Sequence, residues 1–267
     1  MGRINAGWRN SPGGSFFRLH HSNPSMALPS LSGSLVALAA SNDLSALSAD
    51  SSGVLAAIAS TDEDQRTLLH HAAASGSLEV TLYLLSIGAL PSVCDDEAFT
   101  PLISAASAGH VDVVRALINA GADVGATSGS GKSALHYAAS KGHLGIVQML
   151  MEGENATMLK KTDKHGATPF HAAAGAGRVA VLRFLLEQQP GALLKDKRKQ
   201  TPLHHAADAK EKDCCLLLVE HGGDVEEEDA DGETPLSLAA SDKEFRRIIG
   251  EAAIRQRGGT DQKRMEE

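Results

Sequence analysis

Apolar and polar positions along the chain come in short paired bursts. The stretch Thr100–Val124, TPLISAASAGHVDVVRALINAGADV, holds one such pair. Leu102, Ala105 and Ala106 recur at helical spacing and predict a short helix with a small-residue side turned inward. Gly109 ends it where a positive φ is wanted. Val111, Val114, Leu117 and Ile118 predict a second helix, ended by Gly121. Thr100 is placed to cap the first helix, and Pro101 takes its first position, where a missing N–H costs nothing. From Ser133 the chain writes nearly the same sentence again, SALHYAASKGHLGIVQMLMEGENAT.

The openings line up as Thr67-Leu68-Leu69-His70, Thr100-Pro101-Leu102-Ile103, Ser133-Ala134-Leu135-His136, Thr168-Pro169-Phe170-His171, Thr201-Pro202-Leu203-His204 and Thr234-Pro235-Leu236-Ser237, spaced by 33, 33, 35, 33 and 33 residues. A fixed period in this range predicts a solenoid whose units bury their apolar sides only by stacking. Between units the pattern D-x-x-G-x-T, as in Asp163–Thr168 and Asp229–Thr234, predicts a short β-hairpin finger. Three fingers carry Gln65, Ala98 or Lys199 where glycine is wanted, so their turns are expected to be strained or differently shaped. A degenerate unit precedes the six: Leu35–Ser41 reads as a first helix, and Leu44–Leu47 with Val54–Ile58 continues it. At the other end Phe245, Ile248, Ile249, Ala252 and Ala253 give Lys243–Arg257 one apolar side, opposite Arg246, Arg247, Arg255 and Arg257. The fold class is therefore all-α, a solenoid of about seven helix-turn-helix repeats over residues 31–257. Residues 1–30 read as a disordered basic extension and 258–267 as a frayed tail.

Composition narrows the function. The chain has 267 residues, 42% hydrophobic and only 3% aromatic, which suits closely packed helices. The net charge of -8 argues against nucleic acid as the partner. No apolar run approaches the ~20 residues of a membrane span. Cys94, Cys214 and Cys215 form no CxxC pair and suggest reduced thiols in the cytoplasm or nucleus. The first forty-two residues contain no acidic group but carry Arg3, Arg9 and Arg18. That leaves organelle targeting by residues 1–25, or a start at Met26, as alternatives.

The twelve histidines fall largely into register. His70, His136, His171 and His204 hold the fourth position of the opening, where the imidazole is expected to bond the capping residue and the neighbouring turn. His110 and His143 follow the glycine before each second helix. Successive register histidines stand a helix pair apart, too far to share one metal at ~2.1 Å bonds. Ser128–Ser133 resembles a phosphate loop in composition but lacks its glycine spacing. The acidic run Glu226–Asp229 reads as a solvated finger. No catalytic motif, cofactor or metal site emerges, and the chain is expected to be a non-enzymatic monomer that binds another protein.

Its candidate contact residues are read from the position before each capping residue, the one after each histidine, and the pair before each glycine. They are Arg66, His71 and Ser75; Phe99, Ser104 and Ser107; Lys132, Tyr137, Ser140 and Lys141; and later Ala167, Ala172, Gln200, His205 and Glu233. Adjacent fingers also carry opposite signs, Lys195, Lys197, Arg198 and Lys199 against Glu226–Asp231. Such a pattern either keeps the solenoid soluble or forms a charge-patterned partner site.

The T-P-L-H-x-A opening at this period resembles the ankyrin-repeat pattern. A narrower resemblance lies in Asp62–His70, in Asp95–Leu102 with AASAG at Ala105–Gly109, and in LHYAASK at Leu135–Lys141. These segments are similar to the gankyrin chaperones of the proteasome regulatory particle, over roughly Leu35–Arg257. The resemblance implies a concave face that grips the C-terminal domain of a proteasomal base ATPase subunit, with Asp64 and Arg66 in the contact and Arg66 its main charge. Phe99 stands where that group commonly has Trp. The group's LxCxE motif is absent, its place reading His205–Ala209, and Thr162 stands where it has a finger lysine, between Lys161 and Lys164.

Overall fold

The structure is a computed structural model that describes residues 31–152, 155–189, 193–239 and 242–266. The basic extension 1–30 lies outside the described residues. The first unit is α1 (Gly33–Ala40), α2 (Leu44–Ala49) and α3 (Ser51–Ala57). Five full helix pairs follow: α4 (Leu68–Ser75) with α5 (Leu78–Ser86), α6 (Pro101–Ala108) with α7 (Val111–Asn119), α8 (Ala134–Lys141) with α9 (Leu144–Leu150), α10 (Pro169–Gly175) with α11 (Val179–Gln188), and α12 (Pro202–Asp208) with α13 (Lys212–Glu220). The last unit is α14 (Pro235–Leu238) and α15 (Lys243–Glu266). The longer spacing from Ser133 to Thr168 contains a 3₁₀ turn, Asn155–Lys160, whose Leu159 is buried. Helix α15 runs through Gly258 and Gly259 to Glu266, past the point where a frayed tail is expected. Gln262, Lys263, Arg264, Met265 and Glu266 all favour helix.

First helices stack on first helices, from α1 on α4 through to α12 on α14, and second helices form a parallel row behind them. The reason is legible at one position pair. Ala72-Ala73, Ala105-Ala106, Ala138-Ala139, Ala173-Ala174 and Ala206-Ala207 are all fully buried, and a methyl group is all that close helix approach allows there. Leu68, Leu102, Leu135, Phe170 and Leu203 complete the layer. The second helices bury more than one stripe. Helix α7 buries Val113, Val114, Ala116 and Leu117, whereas Val111 is 39% exposed and Ile118 half-buried. The expected stripe is thus rotated, because the helix packs against α5 and α9 as well as α6.

The fingers correct the expectation of β-hairpins. Among the described residues no strand forms, and only an isolated antiparallel bridge joins Thr127 and Ser133. Each finger is a tight turn instead. The turn position has positive φ whether or not it is glycine: 83° at Gly131 and 84° at Gly166, but also 61° at Gln65, 61° at Ala98 and 59° at Lys199. The three non-glycine turns therefore keep the same shape and carry the strain.

Candidate partner-binding face

Five of the six fingers are built by one carboxylate each. In the turn from Asp163, Oδ1 accepts the N–H groups of His165 and Ala167 at 2.8 and 2.9 Å. Asp62, Asp95, Asp196 and Asp229 repeat this, whereas at the third finger Ser128 holds the position and its hydroxyl lies against those of Ser130 and Tyr137. The turns are then joined edge to edge. The second residue of each donates its N–H to the third residue of the one before: Asp96 to Asp64 (3.1 Å), Gly129 to Glu97 (2.6 Å), Lys164 to Ser130 (3.0 Å), Lys197 to His165 (2.9 Å) and Ala230 to Arg198 (2.8 Å). The six fingers form one hydrogen-bonded row. At Gly129 and Gly131 an added Cβ would press on the neighbouring finger's backbone, within 2.9 and 2.8 Å.

The register histidines brace this row from below. His70 Nδ1 accepts from the Thr67 N–H (3.1 Å) and lies 2.9 Å from its hydroxyl, while Nε2 donates to the Phe99 carbonyl of the next repeat at 3.1 Å. His136 reaches the Ala167 carbonyl and His171 the Gln200 carbonyl in the same way. These are the bonds to cap and neighbouring turn expected from the sequence. His110 and His143 do a second job, donating to the Ala74 and Ser107 carbonyls of the preceding repeat.

Every candidate contact residue of the second to fourth repeats is at least partly exposed, on the side made by the fingers and first helices. Asp64, Arg66, Ser75 and Lys141 are exposed; His71, Phe99, Ser104, Ser107, Lys132, Tyr137 and Ser140 are half-buried. Several also hold the scaffold. Arg66 spans two fingers, with Nη1 3.6 Å from Asp64 and Nε 3.5 Å from the buried Asp95 carboxylate. His71 Nε2 sits 2.8 Å from Asp62. Phe99 and Tyr137 pack ring to ring across a repeat boundary at 5.2 Å, and the Tyr137 hydroxyl lies 3.2 Å from that of Ser128. Lys141 borders a shallow depression with Arg178 and Val181.

Family models for ankyrin repeats match residues 64–96, 102–151, 165–197 and 188–249, which together span more than half of the chain. The chain belongs to the ankyrin-repeat family. Among solved structures, the ankyrin repeat domain of human ASB11 is similar, with a TM-score of 0.72 and 25% identity over 82% of this chain and 96% of that one. No curated protein matches. Ankyrin repeats make this chain a protein–protein interaction module.

The pairing of adjacent fingers bears on the two readings of their opposite charges. The basic finger at Lys195–Lys199 and the acidic one at Glu226–Asp231 do not stand as two free patches. Lys195 pairs with Glu227, and Arg198 with Asp231. Pairing across adjacent fingers satisfies half of that pattern within the molecule, so it serves the scaffold first.

The chemistry on offer is that of binding. Burial pushes the Cys214 and Cys215 thiols up to about 11 and about 12, with Glu211 adding to both, which leaves no thiolate near neutral pH. Burial drives His70, His136 and His204 below the usual imidazole range and His171 down to about 4. One cluster escaped the sequence argument: ligand atoms of His171, Asp196 and His205 lie within 4.8 Å of one another. His171 and His205 meet across a repeat boundary at 4.9 Å between ring centres, and His205 Nε2 lies 3.1 Å from Asp196. A metal does not fit it. Both His171 nitrogens are already engaged, with Thr168 and with Gln200, which leaves two donors where a bound ion needs three or four. The D-x-x-G-x-T pattern marks the aspartates, but not their role as anchors of the turn. Their signal is the Asp four residues before each position preceding the cap, visible in five of the six fingers.

Proposed function

We propose that this ankyrin module is a non-catalytic chaperone that holds the C-terminal domain of a proteasomal base ATPase subunit during assembly of the regulatory particle. It acts by steric occupancy: a stiff solenoid on the ATPase blocks premature docking, and release follows when a larger interface forms. The observation that carries the reading is the contact set of the second to fourth repeats. Asp64, Arg66, Phe99, Tyr137 and Lys141 occupy one face, at or near solvent, with Arg66 held across two fingers and the Phe99–Tyr137 pair beside it. Arg and aromatic side chains fixed in place are the types that anchor interfaces. The three free cysteines are compatible with the cytoplasm or nucleus, where such a partner resides.

The test is direct binding of the full chain to that ATPase domain, beside the Arg66→Glu variant. Binding by the wild type and loss in the variant supports the reading. No affinity at tens of micromolar overturns it and leaves the alternative of a general ankyrin adaptor for another protein.

A further inference from the structure

Over its first five fingers the row changes sign; the sixth, Glu226–Asp231, is acidic again and takes up Lys195 and Arg198. Fingers one and two present Glu63, Asp64, Asp96 and Glu97, all exposed. Finger three presents Gly129 and Ser130 at its tip, with Lys132 half-buried at its base. Fingers four and five present Lys164, Lys197, Arg198 and Lys199, all exposed. Two internal pairs subtract from this, Arg66 with Asp64 and Arg198 with Asp231. The Lys197 ammonium donates to the Lys164 carbonyl at 2.8 Å, so its charge stays on the basic finger pair.

Two magnitudes decide what this polarity does. Packed helices stand about 8–10 Å apart, so the centres of the acidic and basic finger pairs, three repeats apart, are separated by roughly 24–30 Å. The Debye length at physiological salt is about 8 Å. The two ends are therefore electrically independent, and each attracts its own counterpart. The distance between them is held by backbone bonds, which the register histidines brace. Asp96 to Asp64, Gly129 to Glu97, Lys164 to Ser130 and Lys197 to His165 tie finger one to finger five without a break.

We infer that the finger row is a charge ruler: it selects an elongated protein surface with a cationic patch at one end and an anionic patch about three repeats away, and sets the direction in which that surface lies. This rests on the protein-binding reading above and specifies the partner's chemistry. Of the two ends, the acidic one takes the lysines and arginines of the partner and the basic one its carboxylates. The third finger has no charge at its tip, and Phe99 and Tyr137 beside it are left for apolar contact.

Synthetic peptides with a polyproline spacer test this, because that helix is stiff and rises about 3.1 Å per residue. The probe is four lysines, about nine prolines and four glutamates, measured by fluorescence anisotropy at low salt. Controls carry lysine at both ends, glutamate at both ends, or a spacer of about three prolines. The expected result is at least tenfold tighter binding of the long two-sign peptide than of any control. The Asp96→Lys/Glu97→Lys and Lys164→Glu/Lys199→Glu variants should each bring it down to the level of the controls. Equal binding of all four peptides, no binding of any, or indifference to either variant overturns the ruler. The same variants against the ATPase domain separate the two readings. If wild type and both variants bind it equally, the ATPase partner stands and the ruler falls. If peptide discrimination holds while the ATPase domain does not bind, the ruler stands and the partner is another protein.

Discussion

The central repeats, α6 to α11, and the last two, α12 to α15, are written in much the same letters but are held together differently. In the central region a side chain after each inner-loop glycine reaches back one repeat. His110 donates to Ala74, His143 to Ser107 and Arg178 to Ser140, as Ser77 does to Ala40 nearer the start. At the same place in the sixth repeat stands Glu211, which has nothing to donate and lies against Gly177. The left-handed position that Gly109 and Gly142 fill is taken there by Lys210, at φ 62°. His204 Nε2 makes no well-formed hydrogen bond, although the Glu233 carbonyl lies near, whereas its three counterparts each hold a carbonyl. Helix α14 is four residues long where α6 and α8 have eight. A repeat array is stable as a sum of units and boundaries, so these differences make the C-terminal end the first to open.

The sharpest way to break the comparison is to cut the same consensus leucine in each region. Leu135 is 1% exposed, and Leu135→Ala should cost roughly 3–4 kcal/mol through lost burial and a cavity. Leu236 is only half-buried, so Leu236→Ala should cost about 1 kcal/mol. Urea unfolding measures both, and equal losses would show that the last repeat is as well packed as the centre.

Acid probes the same boundary through the buried imidazoles. A histidine whose folded pKa is depressed binds fewer protons than its unfolded counterpart, so stability is full above about 6.5 and falls as pH drops towards the folded value. For His171 that window runs from 6.5 to about 4, and the shift amounts to about 3 kcal/mol as an upper figure. Asp62 and Asp196 titrate separately. Burial opposes their ionisation, but the Arg66 N–H and the His71 ring at Asp62, and the His205 ring and the Gln200 N–H at Asp196, hold both below 3.8. Their contribution is lost only as pH falls below that range. Denaturant midpoints between pH 7 and 4 should therefore show a slope that His171→Gln flattens more than His204→Gln. A slope untouched by His171→Gln would mean that another group titrates.

These contrasts show which parts of the molecule can be read from sequence. Helix pairs, first-helix caps and the Ala-Ala layer follow from side chains with a fixed period, so they were legible, although α7 ends at Asn119 and not at Gly121. The rotation of α7 that buries Val113 and exposes Val111 was not, because a helix packed on three sides has no single apolar stripe. The finger row was invisible for a different reason. It is made of backbone N–H and carbonyl groups, and those leave no mark on residue choice beyond Gly129, Gly131 and the anchoring aspartates. The meeting of His171 with His205 was hidden by their separation of one repeat plus one residue. The candidate contact face was legible as a set of positions, but not the extent to which Arg66, His71 and Tyr137 also brace the scaffold.

The missing back-bond of the sixth repeat can be restored. Glu211→His places the donor of His110 and His143 against the carbonyl of Gly175, the residue equivalent to Ala74 and Ser107. The reverse change, His143→Ala, removes a working bond. One neutral hydrogen bond is worth about 1 kcal/mol net, so the first should stabilise and the second destabilise by about that much. Hydrogen exchange locates the effect: Glu211→His should slow exchange in α12 and α13, and His143→Ala should speed it in α8 and α9. Stabilisation spread evenly over the chain would argue against a local boundary.

The smallest effect concerns the strained turns, and it discriminates between two sources of weakness. Lys210 and Ala98 both hold positive φ without being glycine. A left-handed conformation costs a side-chain-bearing residue about 1 kcal/mol, partly offset by the greater unfolded-state entropy of glycine. Lys210→Gly and Ala98→Gly should each stabilise by somewhat under about 1 kcal/mol. Strain is equal at the two sites but the surroundings differ, since Ala98 lies in the well-tied centre and Lys210 beside Glu211. If opening of the C-terminal repeats precedes global unfolding, Lys210→Gly should raise proteolytic resistance of the last two repeats, and Ala98→Gly should leave it unchanged while shifting the global midpoint. Equal protection by both would mean that the chain opens as one unit and that the weaker boundary at Glu211 does not set where it begins.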